Sequence, residues 1–374
     1  MKHKVISFTL SALILLANGC QVAPAQAGIQ TKEGTRTVRI DYLDLTPLSS
    51  ISTPEEMQYK QAGITRVGIS AGRVDWALFP WPGHPSAWAS PVRESGVDFT
   101  ARDARRFGAW ADVTVVVDVL APVYIQSHPD AAAISWGGVP STELVNLTQM
   151  TSGRFSEDLL NFIAASSTIK EADSILLVEL FYYVDGFGME DLETYRLDTG
   201  QADWPRLDSG EIDINSPLIN SWRTKRIATF LSRAAALAHA NHKQLWLEVK
   251  PDERQLAAQD WTTYQAYLDV VDQLVVMGNP IFYDADSERV HLTIDNLNAL
   301  GQGRVVYEIG VWEDDGHAHI SGSPISPEKL KAIVLDARSR GITDFWFSPS
   351  YLLTSEYWAA LTAAGEWTTN LESR

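Results

Sequence analysis

Cysteine is almost missing from this chain: Cys20 is the one thiol in 374 residues. A lone cysteine makes no internal disulfide, so the fold has to hold together without such a bond. Positive charge is also short. Thirty Lys and Arg stand against 47 Asp and Glu, for a net charge of −17 and a pI near 4.8. An acidic surface repels phosphate backbones, which argues against nucleic acid as a partner. No internal repeat, low-complexity block or second linker interrupts the chain. No G-x-G-x-x-G, P-loop or H-E-x-x-H motif is present, so dinucleotide, phosphate-cradle and zincin chemistry have no support. Ser348, in FSPSY, lacks the glycines of a nucleophile elbow, so it does not suggest a serine hydrolase.

Other features are plentiful. The composition is ordinary for a globular protein, 45% hydrophobic and 21% charged. Thirteen Trp, twelve Tyr and twelve Phe are enough to fill a core and still leave flat apolar faces for a ring-shaped polar ligand such as a sugar.

The first residues, MKHKVISFTLSALILLANGC, have a basic start, an apolar stretch and small residues before Cys20. That is the layout of a secretory signal, too short and wrongly flanked for a permanent membrane span. The ending LANGC resembles a bacterial lipoprotein box, in which Cys20 is lipidated and becomes the first residue of the mature chain. The other reading is a general signal-peptidase site after Ala25 or Ala27. The lipoprotein reading divides the chain into a signal peptide over 1–19, a lipidated cysteine and flexible tether over 20–36, and one domain over 37–374. It places a monomer outside the cytoplasm, lipid-anchored to the bacterial cell envelope.

Within the domain, short β-rich runs alternate with helical patterns. The predicted strands are 38–45, 64–72, 112–121, 184–191, 244–251, 273–278, 304–312 and 342–349. Among the helical segments, TPEEMQYKQAG opens with a Thr cap and SEDLLNFIAAS with Ser and two acids, while SPEKLKAIVLDARSRG has Ser, Pro at the first helical position and a closing Gly. The run ADSILLVELFYY (172–183) is read as a buried helix leading into 184–191. Eight strands alternating with helices make this an α/β chain, a single (β/α)8 TIM barrel.

Active sites in that architecture sit at the C-terminal ends of the strands. Glu190 and Asp191 close the predicted fourth strand; Glu248 lies near the end of the fifth, with Lys250 on the same side, and Glu308 lies in the seventh. Asp118 is in the third strand, ahead of Tyr124 and His128, and Tyr351 follows the eighth. Trp76, Trp81, Trp88 and Trp136 fall in or beside these loops, as do Trp246 and Trp312. Paired carboxylates among aromatic platforms suit glycosidic bond cleavage, one protonating the leaving oxygen and the other attacking or activating water. On this reading Glu190 is the general acid, tuned or replaced by Asp191, and Glu308 or Glu248 is its partner. Asp185, Tyr195, Arg223 and Lys250 join the aromatic loops as substrate-binding candidates. Each carboxylate also has a plainer explanation: Glu248 pairs with Lys250, Glu308 is a hydrogen-bonded strand residue, or Asp185 with Gly186 forms a turn.

The stretch VDGFGMEDLETY (184–195) resembles the DGI-x-x-DDY strand of bacterial glycosyl-hydrolase-like TIM barrels. Downstream, the helix beginning with Trp222 and Arg223 and running into LWLEVKP is similar to theirs, and the hydrolase domain of poly-N-acetylglucosamine-processing lipoproteins has a related plan. The resemblance implies a barrel acting on a polysaccharide, and no cofactor or metal is expected. The family's paired Asp is Glu190–Asp191 here, and the aromatic after the pair is replaced by Leu192, with Tyr195 further on. A non-catalytic carbohydrate-binding or envelope-assembly lipoprotein is the rival reading, and a transglycosylase a third. Alternating His317 and His319 beside Asp314 and Asp315 read as a solvated surface turn rather than a metal site.

Overall fold

A strand buried on both faces cannot alternate polar and apolar residues, and this chain follows that rule. Residues 113–117 (VTVVV), 174–178 (SILLV) and 245–249 (LWLEV) are buried without a break. The computed structural model describes residues 36–40, 52–250, 261–277, 295–296, 299–301, 303–311 and 324–362, with backbone alone for 36–40, 53, 261–262 and 351.

Eight strands run parallel: β1 Arg36–Ile40, β2 Arg66–Arg73, β3 Asp112–Asp118, β4 Ser174–Val178, β5 Gln244–Val249, β6 Gln273–Met277, β7 Val305–Gly310 and β8 Phe345–Ser348. Each pairs with the next, and the sheet curls until β8 pairs with β1, Thr37 lying beside Trp346 on one side and Arg66 on the other. This is a TIM-like α/β architecture, with helices on the outside of the curled sheet. The helices between β1 and β5 include α1 Thr53–Gln61, α2 Phe99–Gly108, α3 Leu147–Thr151, α4 Arg154–Ser167, α5 Met189–Thr199 and α6 Pro217–Ala240. Helices α7 Trp261–Leu268, α8 Pro327–Ser339 and α9 Ser355–Thr362 follow. Among the described residues no helix is long and apolar enough to cross a membrane.

Helix starts match their local chemistry. Ser326 accepts from the Lys329 N–H, with Pro327 in the first turn, as the sequence of α8 predicts. In α1 the cap is Ser52 rather than Thr53, in a reciprocal box with Glu55. Helix α4 begins at Arg154 after Gly153, two residues before the expected Ser156 cap, and Ser156 is buried inside it.

The main correction concerns the fourth strand. Residues 172–183 are not a helix: 174–178 form β4, hydrogen-bonded between β3 and β5. Helix α4 already supplies the crossover that a parallel strand requires. Residues 184–191 are not a strand but a loop and the first turn of α5. Gly186 has φ +84°, and Gly188 is the N-cap of α5.

Candidate active site

Alternation along the strands decides what faces the inside of the curled sheet. Val116, Leu176, Val178, Trp246, Val275, Val306 and Trp346 form one buried cluster, a layer contributed by successive strands. Two residues further along each strand brings the chain to the C-terminal end. There Asp118 follows Val116, Glu248 follows Trp246, and Glu308 follows Val306. Three strands therefore carry a carboxylate on this face at or near their C-terminal ends, and β4 is followed at once by Glu179.

The opposite end is sealed. Arg66 lies over the Trp246 ring at 4.5 Å and donates to Thr114 Oγ1 and Ser174 Oγ, both at 3.3 Å. Trp246 packs against Trp346, with centroids 6.5 Å apart. The expectation that Trp246 binds substrate is thereby corrected: it is a floor residue, because the interior of a small closed sheet is filled by side chains.

Glu179 has a backbone φ of +67°, in the left-handed region that side-chain-bearing residues rarely enter. Its N–H donates to Glu248 Oε2 at 3.1 Å. Such strain persists where the surroundings over-determine it, and it concentrates at functional sites. The residue is half-buried, while Glu248 and Glu308 are buried below the rim. Asp118 receives the Leu120 N–H at 2.8 Å and faces Arg73 Nη1 at 3.7 Å. Sequence reasoning missed Glu179 because it read the run containing it as a helix. A Glu directly after five apolar-rich strand residues was the available signal.

The loop after β4 is pinned from beneath. Arg223, on α6, is buried and donates to the carbonyls of Tyr182 (2.9 Å), Tyr183 (3.2 Å) and Asp185 (2.5 Å), with Phe187 packed on its guanidinium at 4.4 Å. Burial lowers its pKa to about 10, against the opposing pull of Asp191 and Asp185, so it remains a cation at neutral pH. Arg223 therefore holds backbone rather than sugar hydroxyls. Asp185 is half-buried in this loop; burial raises its carboxyl pKa, and Arg223 opposes the rise.

Glu190 and Asp191 face a neighbouring helix instead of the strand ends. Asp191 is fully buried and accepts from Thr148 N–H and Oγ1–H, both at 2.8 Å, and from Leu147 N–H at 3.4 Å. Its carboxylate thus serves the first turn of α3. Burial raises its pKa and these hydrogen bonds resist the rise. Glu190 takes the side-chain amides of Asn146 (2.9 Å) and Gln149 (2.7 Å). Both acids join α5 to α3, which corrects the expectation that they close the fourth strand.

Other candidates divide between core and rim. Tyr195 is buried against Trp204 and Trp222, and Trp81 is buried with its ring stacked on His84 at 3.7 Å. Their large apolar areas explain this placement and correct the substrate-binding expectation for both. Trp76 is half-buried beside the end of β2, and the Lys250 carbonyl accepts from the Tyr183 and Tyr264 hydroxyls. Trp136 is 46% exposed on a hairpin above the β4 loop. Cys20, Trp312, the Tyr351 side chain and the 314–319 turn lie outside the described residues.

The stretch GISAG (68–72) spells a nucleophile elbow. Ser70 nonetheless lies inside β2, beside a register shift, with its Oγ accepting from the Gly72 N–H at 3.0 Å. The elbow requires a strand-to-helix turn, and β2 leads instead into the antiparallel pair 76–77. Among the described residues no three His, Cys, Asp or Glu side chains gather in a metal-binding group.

The fold is that of glycoside hydrolase catalytic domains. The glycoside hydrolase domain of PgaB (BpsB) from Bordetella bronchiseptica superposes with a TM-score of 0.60 at 16% identity, covering 88% of this chain and 98% of that one. Gan42B, a GH42 β-galactosidase from G. stearothermophilus, gives 0.62 at 12% identity over 89% of this chain and 57% of its own. The catalytic domain of a β-amylase from Paenibacillus polymyxa gives 0.58 at 10% identity, over 89% and 97%. No family model and no curated protein matches the sequence.

Proposed function

We propose that the chain is a glycoside hydrolase that cleaves a polysaccharide outside the cytoplasm, with Glu179 as general acid and Glu308 as the partner carboxylate across the mouth. The observation that carries this reading is Glu179: a half-buried carboxylate at a strand end, on a strained backbone whose N–H is held by a second, buried glutamate. In the reaction, the Glu179 proton passes to the glycosidic oxygen as the C–O bond breaks. Glu308 either draws a proton from the water that attacks the anomeric carbon, or attacks that carbon itself, after which water deprotonated by Glu179 releases the sugar from Glu308. Glu248 fixes where Glu179 stands, and Asp118 and Asp185 lie at hand for sugar hydroxyls. The fold shared with PgaB and the GH42 enzyme supports the same class of chemistry by analogy.

Export and anchoring belong to this proposal through the first twenty residues. A Cys20 that carries acyl chains holds the catalytic domain at a membrane surface beside envelope or extracellular polymers. Labelling with radioactive palmitate that disappears in Cys20→Ala tests the anchor.

The activity test follows reducing-end release by the full-length protein in detergent, across bacterial exopolysaccharides, peptidoglycan and plant glucans. The expected result is turnover on at least one polymer, abolished in Glu179→Gln and Glu308→Gln while binding remains. Binding without turnover on every polymer would replace the hydrolase with a carbohydrate-binding lipoprotein.

A further inference from the structure

A hairpin rises beside the candidate site, built from Ala132–Ile134 and Pro140–Val145 in antiparallel pairing. It is sewn to the loop that follows β4. Trp136 N–H donates to the Val184 carbonyl at 2.9 Å, and Phe187 N–H donates to the Ile134 carbonyl at 2.9 Å. Gly188 lies so close to Ile134 that an added Cβ would stand 3.1 Å from its Cγ1. The hairpin is therefore a rigid extension of the loop that begins at Glu179 and carries Asp185, joined to it from Val184 onward.

Its tip is built to present a ring. The turn Ser135–Val139 is closed by Ser135 N–H to the Val139 carbonyl and Val139 N–H to Ser135 Oγ, with Gly138 at φ +81°. Trp136 stands 46% exposed on this turn, with Val139 at 65% and Met189 at 66% beside the same loop. The remaining hairpin surface, from Ser141 to Glu143, is polar. One half-exposed indole with a narrow apolar border is the size of the C–H face of one sugar ring; a protein partner would need a broader apolar area.

We infer that this hairpin is a remote subsite for a polymeric sugar chain, with Trp136 as its stacking platform, so that the enzyme recognises several consecutive sugar units. The inference rests on the glycoside hydrolase reading and deepens it: the polysaccharide is gripped away from the scissile bond, so cleavage depends on chain length. Sugar units at the mouth engage the carboxylates, and units further along the chain reach the indole over the β4 loop.

The test compares the full-length wild type in detergent with Trp136→Ala and Trp136→Phe on cello-, chito- and laminari-oligosaccharide ladders from dimers to long oligomers. Reducing-end release and affinity electrophoresis on the parent polymers are the readouts. On the ladder that the wild type cleaves, Trp136→Ala should lower kcat/KM for long members by about tenfold. It should leave the shortest cleaved member and the melting temperature unchanged, and Trp136→Phe should recover most of the loss. Equal activity of wild type and Trp136→Ala at every length overturns the subsite alone. So does a loss independent of length, or a changed oligomeric state with unchanged polymer kinetics. A wild type that neither binds nor cleaves any ladder or parent polymer overturns the hydrolase reading and this inference with it.

Discussion

The backbone N–H of Glu179 donates to the carboxylate of Glu248 at 3.1 Å, joining the end of the fourth strand to the fifth. One glutamate thereby sets the backbone of another. The contact explains how a residue with a side chain keeps a φ of +67°. It also places the two acids in different surroundings, since the buried one holds backbone while the half-buried one is reached by solvent.

If Glu179 transfers the proton, Glu179→Gln should lower kcat by roughly a hundredfold or more with a normal melting temperature. Glu308→Gln should do the same. An unchanged rate in either variant would remove that residue from the mechanism.

On the proposed mechanism Glu248 acts one step back. Glu248→Ala takes the acceptor from the Glu179 N–H, and losing a buried partner of this kind costs about 1–3 kcal/mol. Glu248→Gln keeps an oxygen acceptor. It should fold nearly as well as the wild type and lower kcat more than it changes KM. Thermal melts alongside steady-state kinetics separate the two effects.

Asp191 should behave in the opposite way. Asp191→Ala leaves Leu147 N–H, Thr148 N–H and the Thr148 hydroxyl without their acceptor. A loss of at least about 1–2 kcal/mol follows, of the size seen for a lost helix cap. The fraction that remains folded should turn over at the wild-type rate. Chemical denaturation combined with active-site-normalised kinetics checks this, and a selective fall in kcat would return Asp191 to the chemistry.

Asp185 gives a pH signature. Burial raises its pKa in the folded state, so the neutral form is the one the fold favours. Its contribution is fully present below the ordinary Asp value of about 3.9 and is lost as pH rises through the raised, folded-state value. The Asp185→Asn variant lacks that slope. Melting temperatures of the two proteins should converge at the acidic end and separate as pH rises, with the variant higher. Parallel curves would show that Asp185 titrates alike in both states.

Much of the architecture was legible because it depends on short-range chemistry. The apolar runs at 113–117 and 245–249, the Ser326–Pro327 helix start and the alternation of strand with helix each follow from a few adjacent residues. The fourth strand was misread for a related reason: SILLV carries no alternation, so its period does not separate a buried strand from a buried helix. Trp81, Tyr195 and Trp246 were misplaced because an aromatic beside a predicted loop has the same sequence signature whether it faces the cleft or the core.

The sequence by itself determined the acidic character, most of the strand-and-helix succession and the shared face of Glu248 and Lys250, since side-chain direction along a strand has a fixed period of two. Only the tertiary structure decided which carboxylates share a site. Closing eight parallel strands brings residues 118, 179, 248 and 308 to one rim, although they are far apart in the chain. The same closure turns Glu190 and Asp191, five and six residues past the Asp185 that lines the loop, toward another helix. Proximity along the chain is local geometry, whereas the meeting of strand ends depends on how the whole sheet curls.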